Sequence, residues 1–132
     1  MQTLTKQEYV ALSNFRFQLA GFLRFSEAAA RSAGITPKQY LLLLHICGAP
    51  GRKWASVGEL AVRLQSSAHG TVALVNRCIA ANIVCKHRSD EDARRVEVHL
   101  TSRGRRLVAR IAARHRIELR SLREAFQVPH VS

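Results

Sequence analysis

The segment from residue 56 to residue 100 constrains the fold of this chain most, because several local signals follow one another in it. Ser56-Val-Gly-Glu59 has the spacing of a capping box, in which the serine and glutamate side chains bond free amides where a helix begins. A turn at 65–67 separates this short helix from a second one, which is predicted to run from about 68 to 81. Asn82 suits the left-handed conformation that ends such a helix.

Two short strands are predicted directly after this pair of helices. Residues 83–88 and 95–100 are partly β-branched, and in the second run valine and leucine alternate with polar residues. The polar residues 89–94 join the strands as a hairpin loop. A short helix, a tight turn, a second helix and a hairpin are the layout of a winged helix-turn-helix. In that layout the second helix enters the major groove, and the hairpin contacts the flanking backbone or the minor groove.

Helices are also predicted on both sides of this segment. A capping box at Thr5-Lys-Gln-Glu8 begins a helix that extends to about Ser32, and Thr36-Pro37 begins a second, almost wholly apolar helix. Thr101 caps a long final helix that extends to about Phe126. The predicted fold class is therefore mostly α with a small β-hairpin, in a single domain that takes in all 132 residues.

The charge of the chain points to a polyanionic partner. Lys and Arg number 21 against 9 Asp and Glu, which gives a formal net charge of +12, and 17 of the basic residues are Arg. Such a field attracts nucleic acid through counterion release, and the planar guanidinium suits phosphates and guanine edges. The alternative is a solvated basic surface that binds no nucleic acid.

Several classes of protein are not expected. Cys47, Cys78 and Cys85 lack the paired spacing of a disulfide framework or a zinc site, and we predict no metal or other cofactor. The chain has no phosphate-binding glycine loop and no nucleophile motif, so we do not expect an enzyme. The longest apolar run, 40–47, is too short for a membrane span, and 1–10 lacks the apolar stretch of a signal peptide. A cytoplasmic location is therefore expected.

Four stretches give the chain a family likeness. They are Ile35-Thr-Pro-Lys-Gln-Tyr-Leu-Leu-Leu, Val57-Gly-Glu-Leu-Ala-Val-Arg-Leu-Gln65, Thr71-Val-Ala-Leu-Val-Asn-Arg77 and Arg88-Ser-Asp-Glu-Asp-Ala-Arg-Arg-Val-Glu-Val-His-Leu-Thr-Ser-Arg-Gly104. The last is the most specific, since it combines an acidic loop, Asp-x-Arg, an alternating strand and Leu-Thr-x-x-Gly. In these stretches the chain resembles the multiple antibiotic resistance regulator (MarR) family of bacterial transcription factors.

This resemblance implies a sequence-specific regulator that binds double-stranded DNA at palindromic operators. It assigns DNA binding to residues 35–100. It further implies a homodimer in which the helices at 5–32 and 102–126 of two subunits intertwine. Members are often repressors that a small aromatic or phenolic ligand, or oxidation, releases from DNA. We therefore expect a dimeric repressor released by a small ligand.

The second helix of the helix-turn-helix pair has two different faces. One broad arc of the helical wheel is predicted to be buried and holds Thr71, Val72, Leu74, Val75, Cys78 and Ile79. The opposite arc is small and polar at its start, which allows close approach to base edges. The predicted DNA contacts of this arc and the preceding turn are Ser66, Ser67, His69, Gly70, Ala73, Asn76 and Arg77. For His69 the alternative is an exposed histidine without a role.

The hairpin loop holds the second group of predicted contacts. The resemblance implies that Asp92 holds Arg94 for insertion into the minor groove, whereas the plainer alternative is a surface ion pair that contributes little. Arg88 and Arg95 are candidates for phosphate contacts, or are simply solvated charges on the strands.

Two routes of regulation are considered. For a small effector, the resemblance points to a space between the dimer helices and the DNA-binding part, and the candidate lining residues are Phe15, Arg16, Phe22, His45 and Trp54. For oxidation, Cys85 is the candidate, because it lies beside Lys86 and His87, while Cys47 and Cys78 are predicted to pack in the core. The alternatives to a ligand-released repressor are thus a redox-responsive regulator using Cys85 or a non-specific basic protein that binds nucleic acid.

Overall fold

The structure is a computed structural model that describes residues 3–121 and Arg123. Its elements in chain order are α1 (Lys6–Ser32), α2 (Pro37–Cys47), β1 (Trp54–Ser56), α3 (Val57–Leu64), α4 (Ala68–Ala80), β2 (Val84–Arg88), β3 (Val96–Leu100) and α5 (Ser102–Ser121). The predicted fold class is confirmed: the described chain is mostly helical, with a small antiparallel sheet. The predicted end of the last helix, beyond residue 121, lies outside the described helix. None of the described helices has the length and apolar character that a membrane span requires.

The helices begin where the capping signals predict. In each of the three capping boxes the backbone amide of the Thr or Ser bonds the acidic or amide side chain three residues on, at 2.9 Å for Thr5 and Thr36 and 3.0 Å for Ser56. Gln65 and Asn82 take left-handed backbone angles at the ends of α3 and α4, with φ of 52° and 60°. Local sequence therefore fixes the helix boundaries on both sides of the turn.

The sheet has three strands in the order β1-β3-β2, and the sequence predicted only two of them. The unpredicted strand β1 pairs antiparallel with β3, so that Trp54 lies opposite His99 and Ser56 lies opposite Glu97. Three residues are too few to show an alternating pattern, and only the pairing with β3 makes this segment a strand. As a result, the hairpin is joined to the chain that leads directly into α3.

The core is organised around α2. Leu42, Leu43 and Ile46 are buried against residues from the other helices and from the sheet. The sheet contributes its inner face, where Val98 is fully buried, as the predicted alternation requires. The inner ends of α1 and α5 reach the same core, through residues such as Ala30 and Ile111.

Three residues predicted to be buried are more exposed than expected. Cys47 was predicted to pack in the core but is exposed, because it is the last residue of α2 and lies beyond the packed face. Val72 and Ile79 are each 38% exposed, because they lie at the edges of the apolar arc of α4. The buried face of α4 is thus narrower than predicted and consists of Thr71, Leu74, Val75 and Cys78.

The start of α5 is fastened to the end of α4 by close backbone contacts. Thr101 donates its hydroxyl to the carbonyl of Asn82 at 2.8 Å and accepts the amide of Gly104 at 3.0 Å. A Cβ on Gly104 would lie 2.0 Å from the carbonyl oxygen of Ile83. Only glycine permits this approach, which explains physically the glycine of the Leu-Thr-x-x-Gly stretch.

Candidate nucleic-acid interface

Helix α4 presents one face to solvent because its other face is anchored on α3 and α2. The Thr71 hydroxyl is fully buried and donates to the carbonyl of Ser67 at 2.8 Å. The Ser67 hydroxyl in turn accepts the amide of Gly70 at 3.0 Å, so it serves as the N-cap of α4. Both bonds lie within the first turn of α4, and burial of Leu74, Val75 and Cys78 on one side of the helix leaves its opposite face to solvent.

The residues predicted to contact DNA lie together on this outward face. Ser66, Ser67, His69, Asn76 and Arg77 are exposed, while Gly70 and Ala73 are partly buried. Small residues at these last two positions leave a groove of about 370 Å³ between α4 and the start of α2. Whether these residues contact DNA remains a prediction.

The groove also contains Lys38, a basic residue that the sequence analysis did not single out. Lys38 lies in the first turn of α2 and lines the groove together with Ser66 and Arg77. Its charge and its position two residues after the capping Thr36 are visible in the sequence, but only the packing of α2 on α4 brings it to this surface.

Asn76 is tied to the hairpin rather than standing free. The Lys86 ammonium on β2 donates to the Asn76 side-chain oxygen across 3.5 Å. The two parts of the predicted interface, α4 and the hairpin, are therefore joined by a polar contact at the surface.

The hairpin loop 89–95, which we call the wing loop, is organised around the hydroxyl of Ser89. This side chain is only 7% exposed, and it accepts the backbone amides of Glu91 and Asp92, each at 3.2 Å. It also accepts a hydrogen bond from the Arg95 guanidinium at 2.8 Å. A single buried hydroxyl thus bonds two backbone amides and one side chain of the loop.

Arg94 projects from the wing loop into solvent. Its side chain is 95% exposed, and its backbone amide donates to the Asp92 carboxylate at 3.0 Å. The guanidinium Nε lies 3.6 Å from the same carboxylate. An exposed pair of this kind contributes little to stability, so the pairing chiefly limits the directions that Arg94 can take.

The other two arginines of the hairpin are directed towards the protein. The Arg88 guanidinium donates to the carbonyl of Ala93, across the base of the loop. The Arg95 guanidinium lies 3.2 Å from Glu97 and bonds Ser89. Their predicted role as phosphate contacts is untested, but in this structure both hold the wing loop.

The five candidate effector residues do not share any of the clefts seen in the described part of the chain. Phe22 packs edge-on against His115, and Trp54 lies on the sheet. His45 lines a separate cleft of about 360 Å³ with Arg63, and burial, followed by the charge of Arg63, lowers its pKa. On α1, Arg16 is exposed and Phe15 is half-buried.

An aromatic cluster that the sequence analysis did not find surrounds His115 on α5. The imidazole is buried and stacks on Tyr40 with a centroid distance of 5.5 Å, and Phe22 and Phe25 approach it edge-on. Nδ1 of His115 donates to the carbonyl of Ile111 at 2.9 Å, whereas its buried Nε2 has no hydrogen-bond partner in the described part of the chain. In the neutral ring this second nitrogen is an acceptor.

The three cysteines differ in environment. Cys78 is buried, and that burial raises the pKa of its thiol to about 11, so it is a poor nucleophile at neutral pH. Cys85 is half-buried on the outer face of the sheet, with its Sγ 3.5 Å from Nε2 of His87. Among residues 3–121 no group of three His, Cys, Asp or Glu side chains has an arrangement that would hold a metal ion.

Comparison with known sequences identifies a related family and a related protein. Residues 33–95 match the model of the MarR family. Over 96 residues, or 73% of this chain, the sequence is 31% identical to a proposed transcriptional regulatory protein for the hcr operon of Thauera aromatica. The match spans 56% of that relative's length, which is little more than half.

Solved structures share the fold. A MarR family protein from Bacillus stearothermophilus superposes with a TM-score of 0.76 at 20% identity, over 95% of this chain and 86% of that one. AbsC, a MarR family transcriptional regulator from Streptomyces coelicolor, gives 0.73 at 21% identity, over 96% and 82%. A mutant of S. aureus MepR bound to an oligodeoxyribonucleotide gives 0.69 at 17% identity, over 96% and 86%. Residues 33–95 thus match the MarR family in sequence, and the chain shares the fold of MarR family structures over nearly its whole length.

Proposed function

We propose that this chain binds double-stranded DNA sequence-specifically and regulates transcription, with α4 in the major groove and the wing loop at the minor groove. The observation that carries the proposal is the outward face of α4, which is small and polar at its start and lies on the same hairpin-linked unit as the fully projecting Arg94. A helix with such a face fits a groove, and an exposed arginine at the tip of a wing fits the narrow groove beside it.

The electrostatics support the same function. The formal net charge is +12, and Lys38 and Arg77 flank the groove beside α4. Contacts from such cations to phosphates position a protein on DNA, while the polar groups between them read bases. The names of the relatives agree with this proposal, since one is a proposed regulator of an operon and another was solved with an oligodeoxyribonucleotide.

A homodimer on a palindromic operator is part of the proposal. The apolar side chains left exposed on the outer parts of α1 and α5 are Tyr9, Val10, Leu12, Phe17, Leu23, Ile117 and Leu119. A surface of this kind at both ends of one chain fits a second copy of the same chain, because the two copies then bury each other's helices. We call the outward face of α4 together with the wing loop the reading surface. One dimer has two such surfaces, which match two half-sites of an operator.

Repression, with release by a small aromatic or phenolic effector, completes the proposal. The support is the cluster around His115, where a stacked imidazole and two edge-on phenylalanines surround an unsatisfied acceptor nitrogen. An aromatic hydroxyl has the matching chemistry, a ring and an O–H donor, and because Nε2 is buried, the effector would reach it only when the cluster opens. A cytoplasmic location, where the chain would meet DNA, is likewise proposed.

Footprinting on the DNA upstream of the chain's own gene, followed by salt titration, tests the proposal. We expect one protected palindrome, bound at least about 10³-fold more tightly than a random duplex of equal length. Equal affinities for both duplexes at every salt concentration would favour the non-specific alternative instead. Loss of the footprint on mild oxidation, reversed by dithiothreitol and abolished by Cys85→Ser, would favour the redox-responsive alternative.

A further inference from the structure

Trp54, the single tryptophan of the chain, lies under two arginine side chains. The guanidinium carbon of Arg52 is 4.1 Å from the centre of the indole ring, and that of Arg95 is 4.7 Å away. Both distances are within the range of a cation–π contact, for which tryptophan is the best aromatic partner. The two arginines come from segments more than 40 residues apart, so the indole joins two parts of the chain.

Each of these arginines is fixed again at its far side. Arg52 forms an ion pair with Glu59, the glutamate whose carboxylate also accepts the Ser56 amide in the capping box of α3. Arg95 lies 3.2 Å from Glu97 on β3 and bonds the Ser89 hydroxyl at 2.8 Å. A continuous set of contacts therefore runs from the first turn of α3, through the indole, to the centre of the wing loop.

Arg95 depends on the indole more than its ion pairs suggest. Its Nε is buried and has no hydrogen-bond partner in the part of the chain that the structure describes. A guanidinium with an unsatisfied buried nitrogen has lost hydration there, and the face of an aromatic ring is the group that offsets part of that loss. The Arg95 guanidinium also lies 3.9 Å from Glu91. Loss of the indole would leave the buried Nε without compensation and so weaken the hold of Ser89 on this side chain.

Release of Arg95 would reach the DNA-facing end of the wing loop. The Arg95 backbone closes the loop, since its amide donates to the carbonyl of Asp92 and its carbonyl accepts the amide of Ser89, both at 2.9 Å. Asp92 is the residue that bonds the backbone of Arg94 and pairs with its guanidinium. Two contacts therefore link Arg95 to Arg94: the Arg95 amide bonds the carbonyl of Asp92, and the Asp92 carboxylate contacts Arg94.

We propose that Trp54 is a positioning residue of the DNA-reading surface: by holding Arg95, it fixes the wing loop in the conformation from which Arg94 contacts DNA. This inference rests on the proposed function, because it concerns how the wing meets the minor groove. Trp54 is proposed to act without touching DNA. It acts through Arg95, and the first turn of α3 supplies the fixed point.

A double-mutant cycle with Arg94 tests the proposal. The probe is the duplex that the wild-type chain selects from a random-sequence pool, with binding followed by anisotropy at one salt concentration. Trp54→Leu should weaken binding about three- to tenfold, and in that background Arg94→Ala should lose most of its effect. Trp54→Phe, which keeps an aromatic face with a weaker cation–π contact, should restore part of the coupling.

Two matched variants make the cycle specific. Arg77→Ala, on α4, should weaken binding by the same factor whether it is made in the wild-type chain or in Trp54→Leu, because α4 does not depend on the wing loop. Arg95→Lys, which keeps the charge but loses the planar fork, should uncouple Arg94 as Trp54→Leu does. The proposal is overturned if Arg94→Ala weakens binding equally in the wild-type and Trp54→Leu backgrounds.

Amide hydrogen exchange without DNA keeps the inference separate from the proposed function. In Trp54→Leu, or in Trp54→Phe if the leucine variant does not fold, we expect exchange in residues 89–95 to become about tenfold faster while α4 is unchanged. If the wild-type chain selects no duplex, the proposed function fails, and exchange alone then decides whether Trp54 holds the wing loop. Unchanged exchange in the wing loop would overturn the proposal.

Discussion

The unit formed by β1, α3, α4 and the hairpin differs from the two long end helices in how completely it is packed within one chain. In the former, Leu60, Val75 and Val98 are buried, and the polar atoms of the wing loop bond one another. In the latter, only the inner ends reach the core, whereas Phe17 and Ile117 are 78% and 75% exposed. The first region buries most of its large apolar side chains against the rest of the chain, with Val62 as an exception, whereas the second has several without a covering surface in the described part of the chain.

One set of contacts therefore determines the shape of the reading surface, and another determines the distance between the reading surfaces of two copies. Contacts inside one chain hold α4 and the wing loop, so the reading surface is the same in every copy. The distance between two copies depends on α1 and α5, where packing comes from another molecule in the proposed dimer. An effector or a mutation at the end helices would therefore change the spacing of two intact reading surfaces.

Phe17→Glu should have the largest effect, because it should disrupt the contact between two copies through α1 and α5 and leave the reading surface intact. A carboxylate placed in a covered apolar surface costs about 2–3 kcal/mol, so we expect the dimer to dissociate about 30- to 160-fold more readily in analytical ultracentrifugation. Val62→Glu is the matched control, since Val62 is 75% exposed on α3 and outside the end helices. Equal dissociation constants for the wild type and Phe17→Glu would refute this dimer surface.

Gly104→Ala should disrupt the close contact between the start of α5 and the chain that follows α4. The new methyl would overlap the carbonyl of Ile83, and we expect the free energy of unfolding to fall by about 2 kcal/mol or more. Gly58→Ala, in a helical position with no atom closer than 4.0 Å, should instead gain about 0.5–1 kcal/mol. Urea unfolding at equal protein concentrations measures both. A neutral Gly104→Ala would contradict the close approach.

Arg94→Ala should weaken DNA binding through the wing loop without affecting the end helices. We expect the operator affinity to fall by about 1–3 kcal/mol at fixed salt, with the fold and the dimer unchanged. Arg110→Ala, which removes the same charge from the exposed surface of α5, should leave affinity nearly unchanged. If the two variants weaken binding equally, net charge and not the wing accounts for the role of Arg94.

Replacement of Glu97 should have the smallest effect, a change in the free energy of unfolding that is seen only at acidic pH. A hydrogen bond from His99, together with the nearby Arg95, lowers the pKa of this carboxyl. A lowered folded pKa means that the contribution to stability is present above the ordinary value of 4.5 and is lost as the pH falls through the folded value. Glu97→Gln should therefore flatten the acid side of the pH–stability curve below 4.5. An identical slope in both proteins would show that the pair contributes nothing.

Much of the reading surface could be predicted because its signals are local. Capping boxes, the left-handed Asn82 and the alternation in β3 each depend on a few neighbouring residues, and the structure confirms them. Helical spacing predicts the outward face of α4. It does not predict the exposure of Val72 and Ile79, because burial at the edges of the apolar arc depends on what packs beside the helix. Exposure of Cys47 was missed for the same reason.

The sequence by itself determined where the helices begin, where those before the hairpin end, the winged layout and the sign of the charge, since these follow from residues close together in the chain. Only the tertiary structure decided the third strand, the place of Lys38 beside α4, the indole under Arg52 and Arg95, and the buried nitrogen of His115. Each of these joins residues far apart in the sequence. Such contacts have no local pattern, because their energy exists only when the chain has brought the two segments together.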